Sequence, residues 1–311
     1  MSKFEATEGQ NRMAPNATRS DSTQPDPTKP HPTKPNPTQS DPMQTLRSVS
    51  DQQRSRLSEG WVAFATTVRR EIHRVVRIWP QTLLPPVITT CLYFIIFGPI
   101  LGDRIGLMHG YTYLQYVTPG LIMMAVLTNS YQNVVSSFFG AKFQHHIEEM
   151  LVSPMSSESI LLGYAVGGVF RGLVIGAVVG VVALLFADLP IVHPVLTIAV
   201  AVLTSVAFAF GGFINAMVAR NFDDITIVPT FVLTPLTMLG GVFYSVDLLA
   251  EPWRTISYAN PILYMVNAFR YGILGRSDMP LAVAFGVLSL FIIGFYLVAV
   301  WMLRRGIGIR S

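Results

Sequence analysis

The side chains able to do chemistry lie inside long apolar runs. Asn129, Gln132, Asn133, Ser136 and Ser137 recur at spacings of three and four residues, which on a helix brings them near one face. In hydrocarbon such groups either hold helices together by hydrogen bonds or form a polar wall for a passing ligand. The spacing allows both. Thr226, Thr230, Thr234, Thr237 and Gly241 make a second polar face, in a run that also holds Pro229 and Pro235. Each proline removes a backbone hydrogen bond and bends a helix, which suits a cavity that changes shape. Asn129, Gln132, Asn133, Ser136, Thr230, Thr234 and Thr237 are therefore the candidate cavity lining. Arg171 stands twelve residues into the run that starts at Ser159, about 18 Å along a helix. That places a charge near the middle of a bilayer, where it either acts on a ligand or snorkels to carbonyl groups.

Catalytic patterns are missing. There is no H-E-x-x-H, no G-x-S-x-G and no Walker A loop, so no catalytic residue is assigned. His145 and His146 are adjacent and point in different directions on a helix, and the single Cys91 excludes a cysteine-based zinc site. No metal site is expected. Asp223 and Asp224 sit beside Arg220 at a boundary and read as a helix N-cap. An ion-coupled carrier places a carboxylate in mid-membrane, and none of the apolar runs has one. The energy for any transport is thus expected from outside the chain.

The elements that must position these groups follow from composition. Of 311 residues, 51% are hydrophobic and 13% charged, with mean hydropathy +0.46. Soluble domains average about 25% charged residues, so a water-soluble enzyme is excluded, and the net charge of +4 is too dispersed for a nucleic-acid surface. Six runs approach the roughly 20 residues a spanning helix needs: 81–101, 113–139, 159–187, 194–218, 225–246 and 281–303. The stretch 261–274 is apolar but short, carries Asn267 and Arg270, and reads as interfacial or re-entrant. Basic residues at 69, 70, 74, 77, 142, 220, 304, 305 and 310 fall on one side if all six runs cross, which puts both termini in the cytoplasm. Trp61, Phe64, Val68, Ile72, Val75 and Val76 form the apolar stripe of an amphipathic helix over 61–79. Residues 1–60 hold a five-residue proline repeat from Thr23 and are expected to be a disordered tail. Glycines 163, 167, 168, 172, 176 and 180 form a ridge for close helix packing.

Between the second and third runs, Ile147, Met150 and Leu151 face one way and Glu148 and Glu149 the other, and Pro154 ends the short helix they form. The stretches KFQHHIEEMLVSPM, FDDITIVPTFVLTPLTMLGGVFY and NPILYMVNAFRYG, in that order, resemble ABC-2 type transporter permeases. The resemblance implies an all-α membrane protein with six transmembrane helices, an interfacial amphipathic helix, a cytoplasmic coupling helix and a re-entrant element before the last span. It implies a permease subunit in a bacterial inner membrane, working as a homodimer with two copies of an ABC ATPase subunit that holds the ATP and Mg. Ile147, Glu148, Glu149, Leu151 and Pro154 would meet that ATPase. Asn260, Pro261, Tyr264 and Arg270 would belong to the re-entrant element. Two other readings stand beside it: a secondary carrier or channel using the same polar faces, and a membrane scaffold that recruits a soluble partner. The neutral faces favour an amphipathic cargo over a small ion.

Overall fold

The computed structural model describes residues 42–147 and 155–308, with side chains described from Gly60 onward apart from that of Asp103. The chain divides into two units, 1–49 and 50–311. The described part of the first is the opening of helix α1 (Pro42–Arg77). This corrects the expectation of a tail without helix up to residue 60. The proline repeat stops at Pro42, a proline at the first helical position blocks nothing, and the following Met, Gln, Leu, Arg and Glu residues are good helix formers.

Ile78 alone separates α1 from α2 (Trp79–Ile100), whose last turn, Ile96–Ile100, is widened around Pro99. A single turn, α3 (Gly102–Ile105), leads to a minimal hairpin of β1 (Leu107–Met108) and β2 (Tyr111–Thr112). His109 and Gly110 both have positive φ there, as a two-residue turn matching strand twist requires. Thr112 and Gln115 then form a capping box that starts α4 (Tyr113–Phe143). Ser156 accepts from the Ser159 N–H to start α5 (Ser157–Phe186), and Pro194 opens α6 (Pro194–Val218). α7 (Asp224–Met238) contains a widened turn at Pro229–Leu233. A short α8 (Trp253–Tyr258) precedes α9 (Pro261–Leu274), which ends at left-handed Gly275, and α10 (Leu281–Arg305).

α4 is the central post. It packs along its length on α5 and α6, and α9 wedges against α6, α10 and α4. One apolar cluster fills the hairpin end around Tyr116, Met123, Leu127, Val266 and Phe269. Another fills the opposite end around Phe138, Phe139, Tyr164, Phe213 and Met217. The glycine ridge of α5 is shared by two neighbours. A Cβ on Gly168 would stand 2.6 Å from Val134 Cγ2 on α4, and one on Gly167 would stand 2.6 Å from Glu71 Cβ on α1. Both helices therefore lie closer to α5 than any side chain would permit.

Leu185, Val195, Leu290, Ile293 and Leu297 point outward and are largely exposed, a surface suited to hydrocarbon. Among the described residues, four helices are long and apolar enough to cross a membrane: α2, α5, α6 and α10. Two of the six expected spans fall short for different reasons. α4 has the length, but Asn129, Gln132, Asn133 and their polar neighbours lower its mean hydropathy. α7 ends at Met238 rather than near 246, because Gly240 and left-handed Gly241 turn the chain against Ile262 and Leu263.

Candidate functional site

Packing of α1 against the bundle builds a polar site. The stripe facing inward is Thr67, Glu71 and Val75, while Trp61 and Val76 of the expected apolar stripe are exposed. The correction has a simple cause: side chains at i and i+4 stack on one face, and Thr67 and Glu71 are the pair that fit over Gly163 and Gly167. Glu71 is 1% exposed. Ser137 Oγ on α4 lies 2.7 Å from each of its carboxylate oxygens and donates between them. Arg74 and Arg70 approach it at 3.3 and 3.6 Å. Arg70 Nη2 also donates to the Tyr164 hydroxyl on α5 (2.7 Å), and Arg74 Nη2 donates to the Asn133 carbonyl (3.1 Å) and to Asn133 Oδ1 (2.9 Å).

Around this network an open groove of about 370 Å³ is lined by Arg70, Glu71, His73, Arg74, Arg77, Ser136, Gln144 and His146, among others. A second groove of about 330 Å³ continues between α2, α4 and α5. Gln81, Thr89, Thr90, Thr128, Asn129, Gln132 and Arg171 line it. Thr128 and Gln132 line the second groove and Ser136 the first, at four-residue spacing on one face of α4. Arg171 Nη2 reaches Asn129 Oδ1 at 3.5 Å.

The structure thus brings Asn129, Gln132, Arg171 and Ser136 onto one polar track, with Asn133 buried behind it at 1% exposure. It does not bring Thr230, Thr234 and Thr237 there. Thr230 and Thr234 are exposed on α7, Thr234 Oγ1 donating to the Pro229 carbonyl across the widened turn (3.0 Å), and Thr237 is buried on the Thr234 carbonyl (2.8 Å). Ile147 is buried with Phe138 and Phe139. Glu148, Glu149, Leu151 and Pro154 lie outside the described residues.

The residues of the expected re-entrant element form a second constellation at the hairpin end. Asn260 caps α9 by accepting from the Ile262 N–H, Pro261 is its first residue, and Tyr264 donates to the Tyr258 carbonyl. Arg270 is buried, with its guanidinium 4.1 Å from the Tyr116 ring centroid, and it donates to Gly241 O (2.6 Å), Tyr116 O (3.3 Å) and Asn267 Oδ1 (3.3 Å). Asp278 completes the cluster by accepting from Tyr116 and Ser245. These bonds tie α4, α9 and the turn after α7 into one unit.

Asp224 is corrected too. It does not cap α7; its Oδ2 accepts from the backbone N–H groups of Arg220 (2.8 Å) and Asn221 (3.2 Å), which hold the carboxyl below its usual range. Sequence reading missed Glu71 and Asp278, and it placed Ser137 on the polar face of α4 without the carboxylate it meets. The Glu-x-x-Arg spacing of Glu71 and Arg74 was the available signal. Among the described residues no group of three or more His, Cys, Asp or Glu side chains is placed to hold a metal ion.

The profile of a family described as ABC-2 type transporter matches residues 62–274. Over 251 residues the chain is 54% identical to the Inner membrane transport permease YadH of Escherichia coli K12, covering 81% of this chain and 98% of that one. It is 24% identical over 255 residues to Nodulation protein J of Neorhizobium galegae, covering 80% and 95% of the two chains. The same-named protein of Rhizobium leguminosarum bv. viciae is 25% identical over 215 residues, covering 69% and 83%.

Proposed function

The chain belongs to the ABC-2 type transporter family, and from that premise we propose that it is the permease subunit of an ATP-binding cassette exporter in a bacterial inner membrane. Two copies form the pathway, and two copies of a separate ATPase subunit hold ATP and Mg and drive it. The observation that carries the reading is the family match over 62–274, which begins at the charged stripe of α1 and ends with α9.

In this reading α2, α4, α5, α6, α7 with the turn after it, and α10 cross the membrane, and both termini are cytoplasmic. Residues 147–154 receive the push of the ATPase. Ile147 anchors the start of that segment in the core, so its movement bears directly on α4. The polar track of Thr128, Asn129, Gln132 and Ser136 meets the polar part of an amphipathic cargo, while apolar faces meet its tail. Thr230 and Thr234, exposed in one protomer, would line the pathway only across the dimer. The cargo shifts the balance of inward and outward states only through its different affinity for each.

The test is reconstitution. Proteoliposomes holding this chain and its cognate ATPase are expected to show cargo-stimulated ATP hydrolysis, abolished by Glu148→Lys together with Glu149→Lys. Transport by this chain alone, dissipated by ionophores and indifferent to ATP, would overturn the proposal in favour of a secondary carrier. Binding of the ATPase with no cargo movement would favour a scaffold.

A further inference from the structure

Three buried donors close to one another lack any acceptor among the described residues: Arg74 Nε, Asn133 Nδ2 and Arg171 Nε. Buried N–H groups without partners are costly, the more so when charged. Here Arg74 borders the first groove and Arg171 the second, with Asn133 buried beside Arg74. Arg74 bonds Asn133 and Arg171 approaches Asn129, and those two asparagines are one helical turn apart on α4, about 6 Å along its axis. The carboxylate that meets Arg74 among the described residues, Glu71, is already engaged by Ser137, Arg70 and the other end of Arg74. Donors are in surplus, positive charge is in surplus, and each arginine is reached from a groove, Arg74 from the first and Arg171 from the second.

We propose that Arg74, Asn133 and Arg171 form a binding site for a tetrahedral oxyanion, the phosphate or sulfate headgroup of an amphiphile whose tail lies along the apolar wall of α2. A tetrahedral oxyanion offers at least three acceptor oxygens, one for each orphaned donor. Two charge-assisted hydrogen bonds of about 2.8 Å, one on either side of it, bridge such a gap. The wall of α2 supplies Pro85, Pro86 and Tyr93 for the tail, with Thr89 and Thr90 between, and Leu121 of α4 faces it. The inference deepens the permease reading by naming the acidic end of the cargo, and rests on it only for the word cargo.

The experiment is equilibrium binding to the purified full chain in neutral detergent, with no ATPase and no nucleotide, followed by tryptophan fluorescence. The probes are lysophosphatidic acid, lysophosphatidylcholine and inorganic phosphate. Lysophosphatidic acid is expected to bind at least about tenfold more tightly than lysophosphatidylcholine. Arg171→Met, which keeps the apolar stem, is expected to erase that preference, and Arg74→Lys to weaken it by about tenfold, the worth of one charge-assisted bond. Arg304→Met, on a distant exposed pair, serves as the folded control and leaves it intact. Inorganic phosphate binding as tightly as the lysolipid would overturn the amphiphile and leave a free anion in its place. Equal affinity for the two lysolipids, or an unchanged preference in a folded Arg171→Met, would overturn the site. Because no ATPase is present, these failures are distinct from failure of ATP-driven transport, which would count against the permease reading alone.

Discussion

Replacing Glu71 by alanine removes the group on which α1 is docked. The Ser137 hydroxyl loses a charged acceptor at 2.7 Å, worth about 2 kcal/mol. The pairs with Arg74 and Arg70 are 3.3 and 3.6 Å long, and those side chains are 25% and 46% exposed, so solvent screening reduces them to about 1 kcal/mol together. The stem of Glu71 also fills the space over Gly167, and its loss leaves a void costing up to about 1 kcal/mol. The sum is about 3–4 kcal/mol, within the range for stripping one member from a buried ion pair. At about 2–4 °C per kcal/mol for chains of somewhat smaller size, thermal unfolding in detergent is expected to fall by about 6–16 °C. Glu71→Gln keeps the stem and an oxygen for Ser137 but loses the charge, and is expected to cost about half as much. A Glu71→Ala, Ser137→Ala cycle is expected to show coupling of about 1–2 kcal/mol. A Glu71→Ala protein that melts with the parent, or strict additivity in the cycle, would refute the account of α1 docking.

Gly168→Ala is expected to cost about 1–3 kcal/mol by the same melting assay, because its Cβ meets Val134 and, at 2.9 Å, the Ser130 carbonyl oxygen. Gly180→Ala meets nothing within 4 Å and is expected to be neutral or to raise the melting temperature slightly through helix propensity. Arg270→Met leaves the Gly241 carbonyl without its Arg270 donor and removes one of the two donors to Asn267 Oδ1, the Asp278 N–H remaining, and is expected to destabilise by about 1–3 kcal/mol, seen as early loss of near-ultraviolet circular dichroism. The Asp224 carboxyl is held below its usual range, so its contribution is present above the ordinary carboxylate pKa of about 3.9. It is lost as pH falls through the depressed folded value, and Asp224→Asn is expected to flatten that acid limb in a pH series of melting curves.

The apolar runs disclosed most of the helices because burial in hydrocarbon leaves a long unmixed signal. α6 occupies the expected 194–218, and α5 at Ser157–Phe186 begins two residues before the expected run. The same signal misplaced the end of α7, since Leu239–Tyr244 is as apolar as a helix but folds back on two glycines, and hydropathy does not separate a buried turn from a buried helix. α1 was harder still. Its docking face depends on Gly163 and Gly167, far along the chain, and without them Glu71 looks like one more solvated charge among arginines. Of the candidate site, Asn129, Gln132, Ser136 and Arg171 were legible because a polar group in an apolar run stands out. Their meeting with Arg74 was not, because it depends on the packing of α1. The threonines of α7 show the reverse: a regular polar stripe that its own backbone largely satisfies.

The segment joining α4 to α5 is moored at both ends to helices that are not its own. On the near side, Lys142 Nζ donates to the Met217 and Ala219 carbonyls at the end of α6 (2.8 and 2.7 Å). On the far side, Glu158 accepts from Arg304 of α10 (2.8 Å). A load applied between these moorings is divided among four helices, and unequally. The lysine's two charge-assisted bonds are worth several times an exposed arginine–glutamate pair. The stiff branch runs into α6 and through it to α9, and the slack branch runs into α10, so a thrust on this short connection tilts the bundle about one side instead of lifting it evenly.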